Sequence, residues 1–303
     1  MGTKHFAVAI NPNASFGKNR QAGDVVIAAL EARGHRTSKF QEASYIRLEE
    51  ALKSALGNPA HGIDGIVMVG GDGMAHLGAN IVAETDLPFT IFPSGTGNDF
   101  AEVLGAPLGK PEAALQWLLD ALERPVRTVD ALKMRHHDER IEWVAGSISG
   151  GFDARVNERG NLITWMKGKM RYNLAILYEL GSLKPLHYRM RIDDGELQEF
   201  SGVLIAITNI GQFGGSMLIT PGSVIDDGVA ELLLVEPLGR LAFLRIFPKV
   251  YKGTHIHDPR VRILKVRSLE LEHDTMIAYG DGERLGRFPA KFELVPGALK
   301  VFG

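Results

Sequence analysis

The sequence predicts two domains: a doubly wound α/β domain with a parallel-rich sheet over residues 1–125, and a β-rich antiparallel sandwich or barrel over residues 126–303. Short apolar runs alternate with amphipathic stretches up to about residue 125, which is typical of βαβ units. After that point, runs of β-branched and aromatic residues are bounded by glycine turns, as in antiparallel β-domains. Glycine supplies 35 of the 303 residues, and the glycines cluster where predicted strands end.

The elements of the first domain follow from its apolar periodicity. In chain order we expect a strand at 6–10, a helix at 21–33, a short strand at 36–40, a helix at 46–56, and strands at 66–69 and 89–92, the last followed by a helix. The last two strands both end in glycine-rich turns. Open α/β sheets bind ligands at the carboxyl ends of their strands, so these turns are the first place to expect a site.

The second domain is predicted from β-branched and aromatic runs at 141–148, 187–192, 202–208, 229–235, 261–271 and 288–295. Helices are expected at about 162–183 and 240–252. The chain has no internal repeat and no long Ser/Pro linker. The boundary near residue 125 therefore depends on the change of pattern alone.

Composition excludes several classes of protein. Lys and Arg total 34 against 36 Asp and Glu, a net charge of −2, so binding of nucleic acid by bulk electrostatics is not expected. With no cysteine, disulfide scaffolds, thiolate metal sites and cysteine nucleophiles are excluded. No apolar run approaches a membrane span, and the first run is too short for a signal peptide. These features are compatible with a cytoplasmic protein.

The two glycine turns carry the strongest functional signal. Gly70-Gly71-Asp72-Gly73 follows one predicted buried strand, and Gly95-Thr96-Gly97-Asn98-Asp99 follows the next. Without a Cβ, backbone N–H groups can approach and cradle a phosphate. Neither turn matches the dinucleotide or P-loop fingerprint. One such turn suits a tight strand-to-helix connection equally well, whereas two at neighbouring strand ends favour phosphate binding.

Two Asp-Gly pairs in the second domain admit two interpretations. Asp226-Asp227-Gly228 precedes an apolar run and Asp281-Gly282-Glu283 follows one. Asp-Gly is typical of hairpin turns. The same residues would also suit a metal ligand, Asp227, and a general base, Glu283. Spacing alone does not distinguish the two.

Taken together, these motifs resemble the bacterial soluble diacylglycerol kinase family over nearly the whole chain. The matching positions, in the family's order and spacing, are Asn11-Pro12-Asn13, the two glycine turns, Val129-Asp130, Gly150-Gly151-Phe152-Asp153, Gly214-Gly215, Pro221 with Asp226-Asp227-Gly228, and Asp281-Gly282-Glu283. The resemblance implies a nucleotide domain and a lipid domain with the NAD kinase/diacylglycerol kinase-like fold. It also implies an active site in the cleft between them and a chain end that returns to the first domain.

The activity implied by the resemblance is ATP- and Mg²⁺-dependent phosphorylation of a lipid hydroxyl, foremost diacylglycerol to phosphatidic acid. Phosphoryl transfer mainly requires positioning and charge neutralisation. The resemblance assigns the catalytic Mg²⁺ network to Asp72, Asp99 and Asp130, the base to Glu283, and a structural metal to Asp227 with the carbonyls of Val224 and Val229. It assigns the nucleotide site, with Thr96 a direct ligand, to Asn11, Gly70, Gly71, Asp72, Gly73, Met74, Gly95, Thr96, Gly97 and Asn98.

The chain departs from the family pattern inside the first glycine turn. Met74 and Leu77 replace the usual Thr and Glu, so the turn loses a hydroxyl and a carboxylate. A phosphate-contacting lysine is expected among Lys18, Lys167 and Lys169. Two other functions therefore stay open, a nucleotide- and lipid-binding regulatory protein without catalysis and a related small-molecule kinase. The residues determine neither the lipid acceptor nor the oligomeric state.

Residues 240–267 carry eight basic residues and a single acidic residue, Asp258. The predicted helix at 240–252 would either pack its apolar face on the β-domain and expose a solvated basic face, or lie on an anionic membrane at the inner face of the cell. Nearby, His255 and His257 have alternate spacing that would suit a metal. With no third ligand in view, we expect an exposed turn.

Overall fold

A computed structural model describes residues 2–11, 20–163 and 169–303. The chain divides into two units: unit 1 comprises the residues up to Val129 together with Gly297–Gly303, and unit 2 comprises Asp130–Pro296. The chain therefore passes between the units twice. Unit 1 is an α/β domain and unit 2 an antiparallel β sandwich, which confirms the predicted fold class.

Unit 1 is built on a parallel sheet. Its strands are β1 (His5–Ile10), β2 (Arg36–Phe40), β3 (Gly65–Gly70) and β4 (Phe89–Pro93), and its helices are α1 (Arg20–Ala32), α2 (Tyr45–Leu56), α3 (Asp72–Val82), α4 (Asp99–Val103) and α5 (Pro111–Ala121). The strands run in the order β2-β1-β3-β4, each pair parallel. At the far end of the chain, Val301 pairs with Phe89 in parallel register.

The apolar runs explain this sheet directly. Every residue of β1 and β3 is buried, as expected of strands covered on both faces, while β2 at the sheet edge is partly exposed. Helix α5 is an element that the sequence analysis did not predict. It begins at Pro111 and buries Ala114, Leu118 and Ala121, in agreement with the preference of proline for a first helical turn.

Unit 2 holds the remaining elements, of which the first and last strands continue into unit 1. The strands are β5 (Arg127–His136), β6 (Ile141–Val144), β7 (Ser147–Gly151), β8 (Leu186–Ile192), β9 (Gln198–Gly202), β10 (Leu204–Thr208), β11 (Gln212–Phe213), β12 (Met217–Leu218), β13 (Ala230–Val235), β14 (Val261–Val266), β15 (Ser268–Glu272), β16 (Ile277–Gly280), β17 (Glu283–Arg287) and β18 (Ala290–Val301). The helices are α6 (Phe152–Leu162), α7 (Lys169–Gly181) and α8 (Arg240–Ile246).

Two antiparallel sheets form the sandwich. One has the order β14-β13-β10-β7-β16-β17, and the other includes β18-β15-β8-β9. Inward side chains from both sheets share one apolar core that includes Ile207, Leu232, Leu269 and Phe292. Among the residues that the model describes, no helix combines the length and the apolar character needed to cross a membrane.

Several predicted runs prove to be two elements. The predicted strand 141–148 is split into β6 and β7, and 261–271 into β14 and β15, which belong to different sheets. Likewise, β9 ends at Gly202 and β10 begins at Leu204. The predicted helix at 240–252 is α helical only as far as Ile246 and continues as the 3₁₀ helix Phe247–Lys252, because Pro248 has no N–H to donate.

The predicted helix at 162–183 corresponds to α7, while α6 just before it was not predicted. Lys18 and Lys167 lie outside the described residues, and of Lys169 only the backbone is described.

Candidate active site

The two glycine turns of unit 1 are packed against each other. The first joins β3 to α3 and the second joins β4 to α4. The N–H of Asp72 donates to the carbonyl oxygen of Gly97 at 3.1 Å, and the N–H of Ser94 donates to that of Gly70 at 2.8 Å. The parallel register of β3 and β4 therefore brings the turns together at the same edge of the sheet, as the sequence predicted.

The glycines are required mainly by this contact between the two turns. A Cβ on Gly71 would lie 2.4 Å from the carbonyl oxygen of Gly97, and one on Gly95 would lie 2.5 Å from the Cα of Gly71. A Cβ on Gly97 would meet Asp72 Oδ2 at 2.5 Å. These Cβ positions point at protein atoms, so the contact between the turns requires glycine here whether or not a phosphate is bound.

The polar residues of the turns fix their shape. Asn98 closes the second turn on itself, accepting from the N–H of Gly95 and donating to its carbonyl oxygen, both at 3.0 Å. Asp72 Oδ1 accepts from the N–H of Phe100 at 3.2 Å, which places a carboxylate at the amino end of α4, where the helix dipole favours negative charge. Asp99, the first residue of that helix, is buried. Asp72 and Asp99 are thus held in neighbouring turns.

Thr96 and Met74 differ sharply in accessibility. Thr96 is exposed at the tip of the second turn, where its hydroxyl can reach a ligand. Met74 is fully buried, and its N–H donates to the carbonyl oxygen of Gly71 at 2.8 Å. Its Cγ would be 2.3 Å from a Cβ on Gly70. Met74 therefore packs against the first turn, and Leu77, three residues further along α3, is also buried.

Asn11 is positioned by a residue that the sequence analysis missed. Its side-chain amide donates to the hydroxyl of Tyr45 at 2.6 Å, and its backbone N–H donates to the carbonyl oxygen of Val69 at 3.2 Å. Tyr45 is the first residue of α2. A lone tyrosine at a helix start has no sequence signal that points to a partner 34 residues away.

Asp130 lies in unit 2 and has partners there. Its Oδ2 accepts from the N–H of Gly228 at 2.8 Å, and its N–H donates to the carbonyl oxygen of Ile225 at 2.9 Å. The amide of Asn209 donates to the carbonyl oxygen of Asp130 at 2.9 Å. Asp130 therefore organises the segment that contains Asp227, a role that the sequence analysis did not anticipate.

Glu283 follows a tight hairpin. Asp281 and Gly282 have φ of 50° and 83°, the positive values that a two-residue type I′ turn requires. The Asp281 carboxylate accepts from the N–H groups of Ala145, Gly146 and Ser147 at 2.9, 2.9 and 3.2 Å, which also explains the break between β6 and β7. Glu283 itself is the exposed first residue of β17. The hairpin interpretation is confirmed for this Asp-Gly pair.

Asp227 has no such hairpin around it, since β13, the strand that follows, pairs with β10 and β14. Its carboxylate accepts from the N–H of Val229 and from Lys265 Nζ, both at 3.2 Å. Close by, Glu231 is only 5% exposed, and its Oε2 is buried with no hydrogen-bond partner among the residues that the structure describes. Burial raises the pKa of Glu231, and the charge of Asp227 raises it further.

The donor set around Asp227 fits a hard cation. Mg²⁺ and Ca²⁺ prefer carboxylate oxygens as ligands, and the carboxylates of Asp227 and Glu231 lie close together here. The carbonyl oxygens of Val224 and Val229 lie in the same segment. Glu231 is an addition to the predicted ligands. Among the residues that the structure describes, no group of three or more His, Asp or Glu side chains is suited to a metal, so any such site would use carbonyl oxygens or water as well.

Unit 2 also contains an apolar cavity of about 70 Å³. Among the described residues that line it, Asp153 and His255 are the only polar ones; the apolar ones include Phe152, Ile176, Phe213, Leu233, Phe243 and Phe247. Asp153 is held at the start of α6, accepting from Ser149 Oγ at 2.5 Å and from Asn157 Nδ2 at 3.1 Å. The Gly150-Gly151-Phe152-Asp153 motif thus puts one carboxylate at the wall of an otherwise apolar space.

His255 is not in an exposed turn as predicted. It is 2% exposed, in the 3₁₀ helix Thr254–His257, and its Nε2 lies 2.9 Å from the carbonyl oxygen of Ile219. Because that carbonyl can only accept, Nε2 carries the proton, and Nδ1 is left without a partner among the described residues. Burial lowers the pKa of His255, so the ring is held neutral.

Acidification should therefore destabilise unit 2 through His255. The unfolded chain binds a proton near the ordinary pKa of about 6.5, whereas the folded chain does so only at lower pH. The contribution of His255 to the free energy of unfolding is fully present above about pH 6.5 and decreases as the pH falls below that value. In His255→Gln, the amide can still donate to the Ile219 carbonyl but does not titrate. The melting temperature of this variant should therefore fall less than that of the wild type between pH 7.5 and 5.5, whereas that of His257→Gln should fall as in the wild type. Equal slopes in wild type and His255→Gln would contradict this.

Comparisons with known proteins agree with this arrangement. The diacylglycerol kinase catalytic domain family matches residues 5–131, and the YegS C-terminal NAD kinase beta sandwich-like domain family matches residues 146–303. A diacylglycerol kinase of Mycobacterium tuberculosis is 31% identical over 96% of this chain and 92% of its own length. The chain belongs to the diacylglycerol kinase family.

This family includes other lipid kinases. A protein of Chromohalobacter salexigens described as 'Probable lipid kinase YegS-like' is 30% identical to this chain, over 93% of this chain and 89% of its own length. The solved structure of a putative diacylglycerol kinase from Bacillus anthracis superposes with a TM-score of 0.76, 22% identity and coverage of 100% of this chain and 98% of the other, which shows the shared fold. The resemblance inferred from the motifs is thus confirmed.

Proposed function

We propose that this protein is a lipid kinase that transfers the γ-phosphoryl group of ATP to a lipid hydroxyl, with diacylglycerol the foremost acceptor and phosphatidic acid the product. The observation that carries the proposal is the pair of interlocked glycine turns, which hold Asp72 and Asp99 next to the exposed Thr96. Backbone N–H groups and helix amino ends suit a triphosphate. Its use of ATP fits action in the cytoplasm.

The nucleotide would be held by residues of unit 1. We assign phosphate contacts to Thr96 and to the backbone of the turns, with Asn11 fixed by Tyr45 at the adjacent strand end. Bound Mg²⁺ would neutralise phosphate charge, and Asp72, Asp99 and Asp130 are the carboxylates proposed to hold it. The remaining nucleotide-site residues form the turns themselves: Gly70, Gly71, Gly73, Gly95, Gly97 and Asn98. Met74 supports these turns through its buried side chain.

Transfer requires one bond to form and one to break. The acceptor oxygen bonds to the γ-phosphorus as the bond between that phosphorus and the β–γ bridging oxygen breaks, and ADP leaves with the electron pair. The hydroxyl proton is taken by the carboxylate of Glu283, which we propose as the general base. A carboxylate in this role suits phosphoryl transfer, in which the protein mainly positions the nucleophile and balances charge.

The apolar cavity of unit 2 supports a lipid acceptor. Its lining is almost entirely hydrocarbon, and its volume of about 70 Å³ gives room for part of a single chain. Among the described lining residues, Asp153 provides the one carboxylate, where it can accept a hydrogen bond from a hydroxyl on the lipid. A small polar acceptor would leave this apolar surface unused, which favours a lipid over a sugar or nucleotide.

The proposal is tested by incubating the protein with labelled ATP and extracted lipids, and identifying the phosphorylated product by mass. Phosphatidic acid is the expected product; another phospholipid would correct the acceptor. Because Met74 and Leu77 leave the first turn without the usual hydroxyl and carboxylate, a second candidate is a nucleotide- and lipid-binding protein that does not transfer phosphate. ATP and lipid binding with no labelled lipid would favour that candidate, and phosphorylation of NAD would favour a small-molecule kinase.

The structural cation site gives a separate prediction. If Asp227, with Val224, Val229 and the added Glu231, holds Mg²⁺ in the folded state only, saturating Mg²⁺ should stabilise the wild type by about 2–3 kcal/mol. Asp227→Ala should abolish that increment in thermal unfolding, whereas Asp194→Ala, in an exposed turn, should keep it. An Asp227→Ala melting temperature that rises with Mg²⁺ as much as that of the wild type would refute the assignment.

A further inference from the structure

The segment formed by α8 and the 3₁₀ helix after it has two chemically different faces. On the inner face, Phe243, Ile246 and Val250 are buried and line the apolar cavity. Phe243 also packs on Phe152 of α6, with ring centroids 4.6 Å apart. The segment is therefore anchored to unit 2 by its inner side chains, as the packed alternative in the sequence analysis expected.

On the outer face of the same segment, large apolar side chains are exposed to solvent. Leu241 is 74% exposed, Leu244 48% and Tyr251 51%. Single exposed apolar residues are common on soluble proteins. Three within eleven residues, on a short segment whose other apolar side chains are already packed, form a patch that requires an explanation.

Basic side chains lie among these apolar ones. Arg245, Lys249 and Lys252 are exposed, and within the described ranges none of them forms an ion pair. The acidic residue nearest in sequence, Asp258, forms a hydrogen-bonded ion pair with Arg260 at 2.8 Å, which is the main cause of its lowered pKa, and the charge of Lys249 makes only a smaller contribution. We call the surface made by these six side chains the 241–252 face: Leu241, Leu244, Arg245, Lys249, Tyr251 and Lys252.

We infer that the 241–252 face docks on an anionic lipid surface. Apolar side chains would enter the boundary between headgroups and acyl chains while the basic ones contact anionic headgroups, the arrangement of interfacial helices. Because the exposed charges of the face are all positive, the bilayer that it binds must carry anionic lipid. A tyrosine beside the bases suits the interface as well, because its ring is apolar and its hydroxyl is polar.

The position of the 241–252 face suggests how a lipid acceptor would reach the protein, an inference that rests on the proposed function. The same segment separates the outer face from the apolar cavity, since its inner residues line that cavity. A lipid acceptor resides in a bilayer and must leave it, at least in part, to react. Docking through the 241–252 face would bring the cavity wall against the membrane that supplies the acceptor.

The test measures binding to vesicles made of equal parts phosphatidylcholine and phosphatidylglycerol, and to vesicles of phosphatidylcholine alone, by co-sedimentation without ATP or acceptor. The triple variant Arg245→Gln, Lys249→Gln, Lys252→Gln should bind the anionic vesicles about a hundred-fold more weakly, since each basic residue contributes about five-fold. The matched control removes three exposed basic residues of unit 1 that, like these, form no ion pair within the described ranges, Arg33→Gln, Lys110→Gln and Arg124→Gln, and it should bind like wild type.

A second pair of variants tests the apolar contribution. Leu241→Asn should weaken vesicle binding about tenfold, while Ile46→Asn, at a similarly exposed helical position of unit 1, should not. All variants should unfold at the wild-type temperature because none of these side chains is buried. Phosphorylation of an acceptor embedded in the vesicles should fall with binding, whereas that of a short-chain acceptor dispersed in solution should not.

Three outcomes would overturn the inference. They are wild-type binding that is equal on anionic and neutral vesicles or absent from both, wild-type-like binding by the triple variant, and a dimer in light scattering that Leu241→Asn dissociates while vesicle binding persists. Because the binding measurements use neither ATP nor acceptor, they stand apart from the kinase proposal. Failure of lipid phosphorylation together with intact anionic vesicle binding would refute the proposed function alone.

Discussion

Replacing Glu283 by Gln is expected to lower lipid phosphorylation by about a hundred- to ten-thousand-fold, the usual effect of removing a general base. A lipid hydroxyl is too weak an acid to ionise at neutral pH, so its proton needs an acceptor as the bond to phosphorus forms. Gln keeps the shape and hydrogen-bonding capacity of the side chain but is not basic. ATP affinity should stay at the wild-type value, because this residue is assigned to the acceptor.

The control is Glu293→Gln, which removes the same charge from an exposed position on β18 of the same unit. Single-turnover rates and calorimetric ATP affinity should be measured for both variants. Equal phosphorylation by wild type and Glu283→Gln would show that Glu283 serves only the hairpin. A loss of ATP affinity in Glu283→Gln would show that the residue acts on the nucleotide and not on the acceptor.

Gly71→Ala should both destabilise unit 1 and weaken ATP binding. The new Cβ would lie 2.4 Å from the carbonyl oxygen of Gly97 and 3.1 Å from the Cα of Gly95, and these backbone atoms cannot rotate away. Overpacking of this kind costs up to about 3 kcal/mol. Displacing one N–H from a charged phosphate acceptor should weaken binding about 10- to 100-fold.

Gly181→Ala is the matched control, because this last residue of α7 is exposed, a Cβ there meets no described atom within 4 Å, and Ala favours the helix. Thermal unfolding and calorimetry should show lower stability and weaker ATP binding in Gly71→Ala, and a change in neither in Gly181→Ala. If Gly71→Ala lost ATP binding while its stability was unchanged, the glycine would serve the ligand alone, and the interlocking of the turns would not explain it.

The sequence predicted unit 1 better than unit 2 for a physical reason. Buried parallel strands and amphipathic helices leave strong apolar periods, so β1, β3 and the turns after β3 and β4 could be placed from the residues alone. In the sandwich, one apolar run can contain two strands that belong to different sheets, as β14 and β15 do. The break between β6 and β7 depends on Asp281, more than 130 residues away, and no local pattern reveals a partner that distant.

The candidate site shows the same limit. The motif residues could be named from the chain, yet their supporting partners could not: Tyr45 holds Asn11, and Asp130 organises the segment around Gly228. Glu231 looked like an ordinary strand residue, and only its burial and unsatisfied oxygen bring it to the cation site. His255 was expected in an exposed turn because no third metal ligand was in view, whereas the fold buries it.

The return of residues 297–303 to unit 1 has a consequence for biosynthesis. Phe302 is buried against Phe6, with ring centroids 6.0 Å apart, and its N–H donates to the carbonyl oxygen of Phe89 at 3.0 Å. A ribosome makes Phe302 nearly 300 residues after Phe6. The unit begun first can complete its core only after the whole of unit 2 has been translated, so the nascent chain must keep the Phe6 site uncovered or provisionally filled until then.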